Sequence, residues 1–167
     1  MGKLLSYVVA LAAPCYVANA VPVIVAKVLR RTHPLDGGVR FVDGRRLLGN
    51  GKSVEGFIAG VAAGTLVGLV LQPSGLSSIE RAFLLSLGSM VGDSLGSFVK
   101  RRVGLERGAP APLLDQLSFL LVALLAYQLA FSDLPLEVAA ILVIATPPIH
   151  LLANFLAYKA GLKNRPW

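Results

Sequence analysis

An all-α integral membrane protein with five spanning helices is the fold this sequence predicts, and three observations predict it. Apolar residues make up 55% of the 167 and charged residues 15%, with a mean hydropathy of +0.70, well beyond an ordinary water-soluble domain. The apolar residues gather into five runs, each close to the roughly 20 residues a helix needs to cross about 30 Å of hydrocarbon. The Lys and Arg residues are crowded into alternate connections between those runs, as the positive-inside tendency requires.

The first run, about residues 4–29, contains Pro14 and Pro22. It is too long an apolar region for a signal peptide and lacks a clear small-residue cleavage site, so a retained span is expected. The prolines are expected to break this helix, leaving a freed carbonyl or the Asn19 amide between them to line a cavity. Cys15 is the one cysteine, which excludes an intramolecular disulfide. The second run, 54–71, has Gly56, Gly60, Gly64 and Gly68 at four-residue spacing, and the third, 79–99, repeats the rhythm with Gly88, Gly92 and Gly96. Small residues so spaced let membrane helices approach closely. Such packing would hold the Lys52 end of the second span beside the Lys100 end of the third. The fourth run, 113–131, opens just after Pro112 with Asp115, an acidic residue that the dipole favours in a first turn. The fifth, 136–158, carries Pro147 and Pro148, with His150 placed for a packing hydrogen bond near Asn154. All 167 residues form one membrane-embedded domain.

The connection from Lys27 to Lys52 holds seven of the 16 basic residues, that from Lys100 to Pro112 four, and the tail three, leaving Lys3 and Arg81 on the other side. Fourteen against two predicts an outside N-terminus, a cytoplasmic C-terminus and two basic cytoplasmic loops. The tail cations Lys159, Lys163 and Arg165 are expected at anionic lipid headgroups. A nucleic-acid partner is not expected, because the basic residues lack aromatic interleaving and lie beside spans.

Chemistry enters with residues 92–102, GDSLGSFVKRR. An aspartate near the bilayer centre costs roughly 3 kcal/mol on insertion scales, so Asp93 should face a partner, a metal or a watery cavity. On a helix Asp93, Ser97, Lys100 and Arg101 share one face. A salt bridge from Asp93 to Lys100 is one reading, but seven residues span about 10 Å, so Asp93 still wants a closer positive charge. A divalent metal would supply one, with Asp115 across the short 100–112 connection as second ligand. Mg²⁺ in particular takes one or two carboxylates and completes its shell with phosphate oxygens and water.

The first loop reads HPLDGGVRFVDGRRLLGNGKSVEG. Its glycines let backbone N–H groups approach an anion, and the second span begins just beyond Lys52 and Ser53, presenting a helix N-terminus. Asp43, Arg45, Arg46, Asn50, Lys52 and Ser53 are the expected substrate-facing residues, with a flexible basic connector as the alternative.

Together GDSLGSFVKRR, the following Asp115 and GNGKSVEGFIAG resemble the signature of the CDP-diacylglycerol synthase family. The short chain, the five spans and the VDGRRLLGNGKS loop are more similar to its archaeal branch, the CDP-archaeol synthases. The resemblance implies transfer of a cytidylyl group from CTP to the phosphate of an isoprenoid ether lipid, with Mg²⁺ and release of pyrophosphate. It also implies that Asp93 and Asp115 bind the metal, and that Lys52, Ser53, Lys100 and Arg101 serve the nucleotide phosphates. The broader family continues with a Lys-Asp pair where this chain has Glu106 and Arg107, and with another aspartate where it has Ser118. A second ion would lose a ligand there.

Other readings are a small ion or anion transporter and a different lipid-phosphate enzyme. Five spans with no inverted repeat disfavour the transporter, and Asp43-Gly44-Arg45 is only a fragment of the phosphotransferase segment. A homodimer through the glycine faces and the fifth span is a further expectation.

Overall fold

The computed structural model describes residues 2–29, 31–75 and 77–167. Five helices cross the bundle: α1 (Gly2–Val28), α2 (Val54–Leu71), α3 (Ile79–Arg102), α4 (Leu114–Phe131) and α5 (Leu136–Lys159). Among the described residues all five are long and apolar enough to cross a membrane. Local chemistry sets several of their ends. The Ser53 and Ser78 hydroxyls accept the N–H groups of Gly56 and Arg81, capping α2 and α3, while Gly75, at φ 70°, turns the chain between those helices. The third helix outruns its apolar stretch to include Lys100, Arg101 and Arg102 in its last turn, where cations complement the dipole.

The prolines of α1 do not break it; the helix is continuous past Pro14 and Pro22. Proline at 22 has no N–H for the carbonyl of Ala18, and that carbonyl lies against Gly60, whose missing side chain leaves the space. The freed group therefore serves a helix contact, not the cavity expected beside Asn19.

Glycine explains how closely these helices sit. All four glycines of α2 are buried. A Cβ on Gly64 would lie 2.6 Å from the carbonyl of Pro14 and also strike Ser86, so α2 is wedged between α1 and α3. Gly88, Gly92 and Gly96 perform the same service against Ala123, Ser118 and Phe119 of α4. Both glycine faces are thus used within the chain, which removes them as the expected dimer surface. Below them, Leu11, Cys15, Leu85, Phe119, Leu120, Tyr127 and Leu142 form the buried core, to which Tyr16 Oη and Thr146 Oγ1, 2.7 Å apart, tie α5.

Candidate active site

The first loop is built around one carboxylate. Asp36 accepts hydrogen bonds from Arg46 Nη2 (2.5 Å) and from the amides of Leu48, Gly49 and Gly38. Backbone bonds from Leu35 to Lys52 and from Val54 to His33 close the loop onto the start of α2. Burial opposes charge on Asp36, but Arg46 and the three amides outweigh it and hold the carboxyl well below the usual carboxylate range. A depressed value means that the ionised carboxylate stabilises the loop above about pH 4 and that this contribution disappears as pH falls through the lowered value. Asp36→Asn should therefore loosen the loop at every pH above that range, leaving Arg46 unpaired at a cost of about 3 kcal/mol. Faster limited proteolysis within residues 37–51 would show it; unchanged cleavage would not fit this architecture.

The folded loop docks on the end of α3. Arg45 Nη1 donates to the carbonyls of Arg101 (3.2 Å) and Arg102 (3.0 Å), satisfying groups that the helix end leaves open. Arg102 donates to Asp43 (3.0 Å) and to the carbonyl of Arg46, with its guanidinium over Phe41 and Phe98. Arg46 also donates to Asn50 Oδ1. Asp43, Arg45, Arg46 and Asn50, expected to face substrate, are thus all engaged in building and docking the loop.

Docking brings two lysine–aspartate pairs to the same end of the bundle. Lys52, at the start of α2, donates to Asp93 of α3. Lys100 donates to both oxygens of Asp115, at 3.0 Å each, and to the carbonyl of Ala109 at 2.7 Å. Asp115 is fixed further by the Ala111 amide. The closer positive charge that Asp93 needs is therefore Lys52, reaching across from another helix, and the Asp93–Lys100 bridge is not formed. Helix packing sets the level of the two carboxylates: a Cβ on Gly96 would sit 3.7 Å from the carbonyl of Leu114, one residue before Asp115, and Gly92, next to Asp93, abuts Ser118.

Ser53, Lys52, Asp93 and Ser94 line a small pocket between α1, α2 and α3; the Ser53 hydroxyl also caps α2. Arg101 lies against Gly49, and its Nε is buried without a hydrogen-bond partner. It is a guanidinium with no carboxylate among the described residues. Ser97 is half-buried on the same helix, one turn from Asp93. Asn19 is half-buried in α1 and does not line this pocket. A larger cavity of about 550 Å³ lies at the opposite end of α3, beside Tyr7, Ser78, Arg81 and Tyr127. No carboxylate lines it, and Arg81 is already bound to Tyr127 and Asp133, so it does not suit a metal-bound nucleotide.

Comparison with known proteins identifies the family. The CarS-like family, described as CDP-archaeol synthase, matches residues 1–167. The chain belongs to this family. The CDP-archaeol synthase of Pyrobaculum calidifontis is 51% identical over 156 residues, covering 92% of this chain and 93% of that protein. The Methanocaldococcus jannaschii synthase is 43% identical over 168 residues, with 92% of each covered. A solved intramembrane enzyme for archaeal membrane lipid biosynthesis superimposes with a TM-score of 0.78 at 43% identity, over 87% of this chain and 91% of that one.

Within the CDP-archaeol synthase fold seen here, Ser118 occupies the place of the broader family's additional aspartate and is packed against Gly92 and Gly96. The site keeps two carboxylates, and among the described residues no group of three acidic, His or Cys side chains gathers elsewhere. Lys163, expected at lipid headgroups, instead turns inward to Asn154. Its only signal in the sequence is Gly161, the glycine that lets a chain reverse after a helix.

Proposed function

We propose that this chain transfers CMP from CTP to the phosphate of an unsaturated archaetidic acid such as digeranylgeranylglyceryl phosphate, forming CDP-archaeol and pyrophosphate, at the end of the bundle where Asp93 and Asp115 meet. The observation that carries this reading is the pair of lysine-held carboxylates on adjacent helices, with the unpaired Arg101 beside them. Family membership supports it, as does the shape shared with an intramembrane lipid-synthesis enzyme.

The donor set suits Mg²⁺. Two hard carboxylate oxygen ligands suffice for an ion that draws the rest of its shell from phosphate and water, so Asp93 and Asp115 would hold it. Bound there, it would neutralise charge along the triphosphate. The chain's own residues do the remaining work. Lys52, with one hydrogen bond to Asp93, keeps two N–H donors for phosphate oxygens. Lys100 is more fully used and orients Asp115. Arg101 offers a forked donor to the same anion. A lipid phosphate is already ionised near neutral pH, so its oxygen attacks the α-phosphorus directly, the bond to the β-phosphate oxygen breaks, and pyrophosphate leaves with its electrons. No general base is needed, and positioning with charge neutralisation supplies the catalysis.

This end faces the cytoplasm in our reading, because it gathers Lys52, Lys100 and the tail while Arg81 sits at the other. CTP would then enter from the aqueous side and the lipid from between helices. Purified protein given CTP labelled on the α-phosphate, Mg²⁺ and the ether lipid phosphate should label the lipid, and chelation of divalent metal should stop it. Label on the γ-phosphate should appear only in pyrophosphate. Transfer of γ-label to lipid would indicate a kinase and overturn the reading.

A further inference from the structure

Beyond α5 the chain folds back on the site. Gly161, in the left-handed conformation at φ 70°, reverses it, and the amides of Leu162 and Lys163 close the helix end on the carbonyl of Ala157. The last residues then run to the α3–α4 connection, where Arg165 Nη1 and Trp167 Nε1 each donate to the carbonyl of Gly108 at 3.2 Å. Gly108 adjoins Ala109, the residue whose carbonyl receives Lys100. The tail is therefore fastened to the same segment that positions Lys100 and Asp115.

This strap places a third lysine at the site. Lys163 Nζ donates to Asn154 Oδ1 at 2.9 Å and to the carbonyl of Trp167 at 2.8 Å. The Asn154 amide is oriented in turn by His150 Nδ1 at 3.1 Å. Lys52 and Lys100 are each paired with an aspartate; Lys163 has no Asp or Glu side chain as partner among the described residues. Burial draws its ammonium below the ordinary lysine range, while its charge is felt by Asp115 and Asp93 favourably and by Lys100 and Lys52 unfavourably. Those four are the members of the two pairs. The strap thus adds Lys163 to Lys52, Lys100 and Arg101 at the end of the bundle that carries Asp93 and Asp115, and this surplus of basic side chains fits an incoming anion better than it fits the empty protein.

We propose that Lys163, presented by the C-terminal strap, is a phosphate-binding residue of this site, exchanging its contact with the Trp167 carbonyl for an oxygen of a substrate phosphate. It has this role only if the Asp93–Asp115 end is the transfer site, as proposed above. The phosphate belongs either to CTP or to the lipid, and kinetics separate the two. Lys163→Gln should raise a Michaelis constant about tenfold, the loss of one charge-assisted hydrogen bond, while Lys163→Arg keeps it within about threefold of wild type. A rise for CTP at saturating lipid assigns Lys163 to the nucleotide; a rise for the lipid phosphate at saturating CTP assigns it to the acceptor. Cys15, fully buried, monitors folding: its labelling by a thiol reagent should be unchanged in both variants. Wild-type constants for both substrates in Lys163→Gln, as expected of a lysine that merely meets bulk lipid headgroups, would overturn the inference. So would equal losses in the Gln and Arg variants. Should Asp93→Asn retain full turnover, the site itself is misassigned; should Asp93→Asn be inactive and Lys163→Gln behave as wild type, only the role of Lys163 falls.

Discussion

Asp93→Asn should lose roughly 10³-fold in turnover, the scale on which enzymes lose rate when a preorganised electrostatic group is removed from the reacting centre. Asparagine matches aspartate in size and can still accept from Lys52, so the helix contacts around Gly92 remain. It cannot supply the negative oxygen that a divalent ion needs, and it leaves the Lys52 charge uncompensated in a half-buried position. The variant should therefore still fold cooperatively, at a somewhat lower unfolding temperature, while failing to transfer label from CTP to lipid. Full activity in a well-folded variant would remove Asp93 from the chemistry.

Gly92→Val should be the most damaging change away from the polar site. A Cβ at Gly92 meets the carbonyl of Ser118 and lies 2.8 Å from Phe119 Cα and 2.9 Å from Val122 Cβ. Most of that contact is backbone of α4, which no rotamer change relieves. Overpacking typically costs about 1–3 kcal/mol, and valine adds two methyl groups beyond the Cβ, so the helices must separate or the protein must fail to fold. Separation would shift Asp93 relative to Asp115 and take activity with it. Gly96 offers a graded comparison: there the nearest obstacle is the Ser118 side chain, which can rotate, so Gly96→Ala should cost less than Gly92→Ala. The temperature at which Cys15 becomes reactive in detergent ranks the variants. Equal midpoints for Gly92→Val and wild type would contradict the close approach of α3 and α4.

Much of this was legible in the sequence because membranes simplify the problem. Hydrocarbon thickness fixes helix length, so all five spans are found within a few residues. The third was read three residues short, since Lys100, Arg101 and Arg102 look like a loop by hydropathy although they suit a helix C-terminus. Partner choice was less legible. Spacing along α3 offered Asp93 only the distant Lys100 and left a metal to supply the closer charge, because only residues of one helix can be compared without knowing the packing; the side chain that reaches it, Lys52, is 41 residues away. Asp36 looked like one polar residue among many in a glycine-rich loop, and only closure of that loop shows that it gathers Arg46 and three amides. Prolines in α1 suggested a break, but a neighbouring helix can make room for the freed carbonyl, and Gly60 leaves that room. The return of the tail onto Gly108 left almost no trace in the sequence.

A double-mutant cycle on metal binding tests the shared ion most directly. Mn²⁺ can stand in for Mg²⁺ and be titrated by its paramagnetic signal with CTP present, for the wild type, Asp93→Asn, Asp115→Asn and the double variant. Two carboxylates on one ion predict strong coupling, with the double variant binding little worse than the weaker single variant. Independent, additive losses would mean that Asp93 and Asp115 face separate environments and do not hold a common metal.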